Sequence, residues 1–338
     1  MDILARCSFF GGSHEGVSTH YHRPVSRLMS QASFAPMTSR PLPKTEPTVG
    51  VVVLNWNGEE DTAACLDSLL VQRGVSLDIL LVDNASPDGS GARLHARYPQ
   101  LPYLQTGENL GYAGANNRGL EWAIGRGMEW LLVVNNDTVV DPDCVRRLVD
   151  VAAGDPRIGA LAPLIVRFDD SDRVWFAGGR HDRIRAVGVH EHFNAPVSRA
   201  LQQLDGISWL ECSFLTGCCL LLRSAAISEM GPFEAGYFAY VEDLELSLRL
   251  VAGGWRIGWV PSARLAHRVP AIGVPPTPMQ IWLRDRNRRR LVRKAYPVMR
   301  RVLFSLWFWP TRMILYLRYA LRRDWARASA IVTGMTAQ

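Results

Sequence analysis

Beyond residue 48 the chain alternates short, continuous apolar runs with longer stretches of helical period. Residues 49–54 carry no polar side chain on either face, which marks a strand buried on both sides. Residues 60–71 follow, with Ala63, Leu66, Leu69 and Leu70 on one helical face. Blocks at 79–82 and 131–134 read as strands, and 114–124 reads as a helix. Pro142 suits the first turn of a helix running through Val151. Further strands are expected at 158–166, 174–177 and 209–222. Gly231-Pro232 breaks the chain, and a helix over 242–252 ends at Gly253-Gly254. A last strand at 256–260 is stopped by Pro261. This alternation predicts an α/β fold with a mostly parallel central sheet flanked by helices.

The strands end in polar residues. The first delivers Asn55-Trp56-Asn57, the second Asp83-Asn84, and the run Trp130-Leu131-Leu132-Val133-Val134 delivers Asn135-Asn136-Asp137. Ligands of open α/β sheets bind at the carboxyl ends of strands. Three polar ends in succession point to one site, of the nucleotide-binding kind. Turn formation is the competing use of these residue types, and Ser86-Pro87-Asp88-Gly89 is turn chemistry.

With 338 residues, 48% of them apolar and 21% charged, the chain is long enough for one large domain or two ordinary ones. Six cysteines form no CxxC pair and no zinc-ligand spacing, and several sit in apolar runs. They read as reduced residues of a cytosolic protein. The net charge of +6 is unevenly placed: residues 281–324 carry thirteen Arg or Lys against two Asp, and the remainder is net acidic. Residues 1–47 lack apolar periodicity and end in a Pro-rich stretch, so a disordered leader is expected, with Met29 and Met37 as alternative starts. In the basic segment, Arg312 and Arg318 interrupt the apolar run, which argues against a membrane span. On a helix begun after Pro310, Arg312, Arg318, Arg322 and Arg323 share one side, and Met313, Ile314, Leu317 and Leu321 another. That pattern predicts a helix lying on an anionic membrane surface. Nucleic acid is not an expected partner, because no recognition motif accompanies the charge.

The ordered blocks Val52-Val53-Leu54-Asn55-Trp56-Asn57-Gly58, Val82-Asp83-Asn84-Ala85-Ser86-Pro87-Asp88-Gly89-Ser90, Glu108-Asn109-Leu110-Gly111-Tyr112-Ala113-Gly114, Asn135-Asn136-Asp137, Thr216-Gly217-Cys218-Cys219 and Gly236-Tyr237-Phe238-Ala239-Tyr240-Val241-Glu242-Asp243, with the later His267, resemble the inverting glycosyltransferases of family 2. The rhamnosyltransferase-like branch is the nearest likeness. The resemblance implies a GT-A-type nucleotide-diphospho-sugar transferase fold over 48–295, with 296–338 as a basic amphipathic helical extension. It implies inverting transfer of a hexosyl unit, rhamnose being a candidate, from a dTDP- or UDP-linked donor. The acceptor would be a hydroxyl of a saccharide or lipid-linked saccharide in cell-surface polysaccharide assembly, at the cytoplasmic face of the inner membrane.

Residue by residue, the likeness makes Asp243 the base, because inverting transfer needs one carboxylate to take the acceptor's proton. Glu242 would orient it. Asn55, Asn57, Asp83, Asn84, Asn109, Gly111, Asn136 and Asp137 would hold the donor nucleotide. Asp137 and His267 would hold Mg²⁺ or Mn²⁺, hard cations suited to a leaving diphosphate. Asn135 stands where the family's first DxD aspartate falls, which leaves one strong carboxylate. Trp175, Trp209 and Gly217 would line the acceptor pocket. Two other readings stay open: a catalytically silent nucleotide-sugar-binding partner subunit, and a nucleotidyltransferase. The second should carry a Gly-rich, Arg-containing loop after the first strand, and Asn55-Trp56-Asn57-Gly58 is not that.

Overall fold

The computed structural model describes residues 47–269 and 274–337. The leader expected over 1–47, with Cys7, Met29 and Met37, lies outside the described residues apart from Pro47. Strands β1 (Thr48–Asn55), β2 (Ser76–Asp83), β3 (Tyr103–Gln105) and β4 (Trp130–Asn135) run parallel in the order β3-β2-β1-β4. The apolar runs of β1, β2 and β4 are largely buried because α1 (Glu59–Leu70), α2 (Ser90–Arg97) and α3 (Gly111–Gly125) cover the faces, and the short edge strand β3 is only partly covered. Gly119 of α3 lies against Val52 with no room for a Cβ, so that helix rests directly on the sheet.

Beyond β4 the sheet turns mixed. β5 (Thr138–Val140) folds straight back, and α4 (Cys144–Gly154) leads to β6 (Ile158–Arg167) and β7 (Val174–Phe176). A separate hairpin, β8 (Gly179–Asp182) and β9 (Val187–His190), precedes α5 (Val197–Ala200) and β10 (Leu210–Glu211). β11 (Cys219–Arg223) enters antiparallel between β4 and β6. After α6 (Ser224–Met230) and α7 (Glu242–Ala252), β12 (Arg256–His267) pairs parallel to β6. The ten-stranded sheet thus follows the expected mostly parallel plan, with β11 reversed in its middle.

Several expected boundaries move. Pro142 lies before α4, which starts at Cys144 and runs past Val151 to Gly154. The stretch 209–222 divides into β10 and β11 around a loop. Pro261 does not stop its strand. β12 continues to His267 through a bulge, where Val260 pairs with Pro163 and Arg264 with the next residue, Leu164. Proline is tolerated there because a bulge takes its residue out of the hydrogen-bond ladder.

The C-terminal helices α8 (Pro278–Ala295), α9 (Val298–Leu321) and α10 (Trp325–Thr336) pack on one another. α8 falls within the 48–295 span expected for the catalytic domain and bonds to its loops, while α9 and α10 fall within the expected extension. Pro310 lies within α9 rather than before a new helix, and the Thr311 hydroxyl donates to the Trp307 and Phe308 carbonyls beside it. Arg312 does not join the exposed basic side. It turns inward and donates to Asp285 of α8 at 2.9 Å, with Arg288 of α8 at 3.6 Å from the same oxygen. Phe304 and Phe308 are buried against these guanidinium groups. Among the described residues no helix is long and apolar enough to cross a membrane.

Removing one partner from a buried ion cluster leaves a stranded charge. Asp285→Ala strands both Arg288 and Arg312 and is expected to cost about 3–5 kcal/mol in denaturant unfolding.

Candidate active site

Register brings the polar strand ends together. Asn55 pairs with Asp83 across β1 and β2, and Leu54 with Asn135 across β1 and β4. The Asn55 side chain is fully buried. Its Nδ2 donates to Asp83 Oδ1 (3.0 Å), Ser86 Oγ (3.0 Å) and Ser90 Oγ (2.9 Å). Its Oδ1 accepts from the Thr62 hydroxyl (2.9 Å), and that hydroxyl oxygen in turn accepts from Asn136 Nδ2 at 2.9 Å. Asn55 is thus committed to internal partners and has no free polar atom for a nucleoside. Asp83 is also buried and accepts from Asn55, Ser86 and Gln105. Gly91 passes so close to the Asp83 carboxyl that no Cβ would fit. Asn84 pins the next loop: its Nδ2 donates to Asn109 Oδ1 and its Oδ1 accepts from the Leu110 amide, both at 2.9 Å. Asn109 Oδ1 also accepts from Gly111 N. Gly111 has φ +70° and abuts Phe238, a position open only to glycine. Asn57 and Trp56 are exposed at the rim.

The short return of β5 carries Asp137 to the end of β12. Thr138 pairs with His267, and the Arg268 amide donates to the Asp137 carbonyl at 2.8 Å. His267 Nε2 then lies 3.0 Å from Asp137 Oδ1. His267 is buried, its Nδ1 has no hydrogen-bond partner, and the Trp175 ring stands edge-on at 4.5 Å. Two ligands each about 2.1 Å from an octahedral cation lie about 3 Å apart, so this pair fits two adjacent positions on Mg²⁺ or Mn²⁺. Among the described residues no cluster of three or more His, Cys, Asp or Glu side chains could hold a metal. Such a cation would need phosphate oxygens or water for the rest of its shell.

The start of α7 meets the residues that lead into β11, at the end of the sheet where β4 stops. The Gly217 amide donates to Asp243 Oδ2 at 3.0 Å, and the Leu244 amide to Oδ1 at 2.8 Å. Gly217 is fixed in turn by the Tyr112 hydroxyl, which donates to its carbonyl at 2.5 Å and leaves no room for a Cβ. Glu242 is buried, and its Oε2 has no hydrogen-bond partner. Burial, reinforced by the Asp243 carboxyl, holds Glu242 far above the usual carboxylate range. Burial also raises Asp243, against the lowering effect of its two amide donors. The two carboxyls titrate as a pair, with Glu242 the more firmly protonated.

Glu245, one turn on, serves the scaffold. Arg249 grips both its oxygens, and Lys294 of α8 reaches it at 3.3 Å. Trp209 stands apart from the other expected site residues. It lies on the outer edge of the sheet beside Gly258, with Arg256 at 4.5 Å over its ring. Trp175, by contrast, touches His267. Tyr112 escaped the sequence reading although its block was noted, because a buttress is defined by the carbonyl it meets 105 residues away. Cys65, Cys144, Cys212, Cys218 and Cys219 are free, and burial pushes the Cys65 thiol up to about 12.

The network gives Asn55 an organising part that a direct ligand contact would not have. Asn55→Ala is expected to destabilise the ligand-free protein by about 1–3 kcal/mol, because Asp83 and two serines lose a buried partner. Equal unfolding midpoints for the two ligand-free proteins would contradict this.

The family Glycosyl transferase family 2 matches residues 50–231. An N-acetylglucosaminyl-diphospho-decaprenol L-rhamnosyltransferase of Mycobacterium tuberculosis is 36% identical over 218 residues, covering 59% of this chain and 68% of that one. Among solved structures, GalNAc-T7 with UDP, GalNAc and Mn²⁺ superposes with a TM-score of 0.57 at 16% identity, over 74% of this chain and 48% of that one. The Pyrobaculum calidifontis mannosyltransferase with GDP-Man and Mn²⁺ gives 0.50 at 17% identity, over 89% and 90%. These two likenesses bear on the fold, which is GT-A. With its matched span covering more than half of its length, the chain belongs to glycosyltransferase family 2.

Proposed function

We propose that the protein moves a sugar, with inversion, from a nucleoside diphosphate to a hydroxyl of a lipid-linked saccharide. The observation that carries this reading is two sites at one end of the sheet, where Asn135 meets Cys218: the Asp137–His267 pair and the raised carboxyl of Asp243 on the Gly217 amide. The rhamnosyltransferase relative supports rhamnose as the sugar and a diphosphate-linked acceptor; dTDP as its carrier is what the family likeness implies. The Mn²⁺-containing neighbours support a divalent cation held by Asp137 and His267.

The step balances as a single displacement. The acceptor oxygen bonds to the anomeric carbon, the bond from that carbon to the diphosphate oxygen breaks with its electron pair, and the acceptor proton passes to Asp243. A divalent cation would neutralise the charge gathering on the departing diphosphate. Asp243 is steadied as an anion by two backbone amides at the start of a helix, yet burial keeps it basic enough to take a proton. Glu242, protonated beside it, adds no second negative charge. Trp175, edge-on to His267, offers an apolar wall to a sugar ring.

The acceptor's lipid calls for a membrane surface. Val302, Leu306, Trp309, Met313 and Leu317 recur along α9 at helical spacing and are all exposed, with Arg318, Arg322 and Arg323 exposed near its end. We read this face as lying in the cytoplasmic interface of an anionic membrane.

Asp243→Asn should abolish transfer while leaving binding of dTDP or UDP with Mn²⁺ nearly unchanged. His267→Ala should remove the Mn²⁺-dependent part of that binding. Since the active base is the anion, activity rises as pH increases through the raised carboxyl. The acidic limb of kcat/KM should therefore lie above the ordinary carboxylate range of about 4. Glu242→Gln, which copies the protonated form, should leave that limb in place. A limb at the ordinary value, or a fully active Asp243→Asn protein, defeats the assignment. For the membrane face, Leu306→Glu with Leu317→Glu should weaken binding to phosphatidylglycerol vesicles at least about tenfold. Unchanged co-sedimentation would refute the orientation.

A further inference from the structure

The loop that presents Glu242 and Asp243 is conformationally costly. Phe238, Tyr240 and Val241 have φ of +65°, +69° and +74°, in the left-handed region that side chains disfavour. For a β-branched valine this is a true outlier. Val241 is also the residue capping α7, and its side chain makes no capping hydrogen bond. Such a loop persists only where its surroundings over-determine it.

Its carbonyls show what does so. The oxygens of Tyr237, Ala239 and Tyr240 all lie within hydrogen-bond distance of one group, Nδ2 of Asn287, at 2.8, 2.8 and 2.7 Å, and share its two hydrogens. The intervening Phe238 carbonyl is taken by the Ala113 amide at 3.0 Å. Every carbonyl from 237 to 240 is therefore accounted for. Asn287 is fully buried on α8, and its Oδ1 accepts from Arg286 Nε at 2.9 Å. Arg286 also donates from the outer side to the Gly236 and Tyr237 carbonyls, at 3.1 and 2.9 Å. The amide's orientation follows from this set, since only its nitrogen can meet three carbonyl oxygens.

We propose that Asn287 is a positioning residue for the transfer reaction: it holds the left-handed loop in the form that sets the Asp243 carboxyl against the Gly217 amide. The proposal rests on the reading of Asp243 as base. Asn287 itself touches no substrate. It lies beyond the family-matched span and 47 to 50 residues after the carbonyls it holds. Aspartate is no substitute, because it would turn an anion toward three carbonyl oxygens.

The test uses the full chain, with dTDP-rhamnose and a short-prenyl diphospho-N-acetylglucosamine as the probes. In Asn287→Ala, kcat should fall about a hundredfold, the scale of a small misplacement of a reacting group. The Kd of dTDP with Mn²⁺ should stay within about twofold. Amide exchange over 236–243, which needs no substrate, should rise selectively. Nucleotide affinity falling in step with kcat, or exchange rising throughout the protein, would assign Asn287 a merely structural part and overturn the proposal. Should Asn287→Ala fail to fold, Arg286→Ala decides. It removes the outer donor and the donor to Asn287 Oδ1 while keeping the Asn287 amide, and should lower kcat about tenfold at unchanged dTDP affinity; wild-type kcat and exchange there would overturn the proposal. Failure of the base assignment is separately visible. An active Asp243→Asn protein refutes the base, whereas an inactive one beside a fully active Asn287→Ala protein refutes only the positioning.

Discussion

One buried amide closes the dry interior of the sheet. Asn55 ends β1, where a run of valines meets the polar edge, and its side chain joins Asp83, two serines and Thr62. A polar group buried there without partners would cost several kcal/mol on transfer scales, so the loops after β1 and β2 must close around it. The shape of this end of the sheet follows from this closure. Asp83 is held in place, Gly91 gives it room, and Asn136 is drawn in through Thr62.

The same logic governs the opposite side with different means. There the carboxyls of Glu242 and Asp243 are placed where burial resists their charge, and backbone amides rather than cations steady Asp243. Arginines near by are spent on structure. Arg249 grips Glu245, and Arg290 grips Glu234. Arg249 and Lys294 thus fasten α7 to its scaffold around Glu245, while burial keeps the two carboxyls of the preceding turn raised, a division of labour between adjacent turns of one helix.

Much of this was legible in the sequence. Continuous apolar runs gave β1, β2, β4 and β6, and their polar ends located the site, because in-register parallel strands put such ends side by side. Asp137 and His267, expected as metal ligands, lie 3.0 Å apart, and Trp175 stands edge-on to His267. What could not be read was how polar groups would be shared. Asn55 looks like a ligand contact in a list of residue types, and only the distances show it to be saturated. Arg312 looks exposed on a helical wheel, but a wheel does not contain Asp285 of the preceding helix. Trp209 and Trp175 are alike as residue types, and strand order alone separates them. Short strands such as β3 and β5 carry too few residues for a period to emerge.

The bulge in β12 sets how far the strand reaches. Between Val260 and Arg264 it spends three residues that β6 does not match, yet 264–267 run in step with 164–167. The surplus is taken up before the histidine, and that places Thr138 opposite His267. A shorter bulge that pulled the strand back would draw the imidazole about 3.3 Å along β6 for each residue lost, away from its partner. The geometry of the Asp137–His267 pair is thus written in the length of an irregularity around Pro261, several residues before the histidine itself.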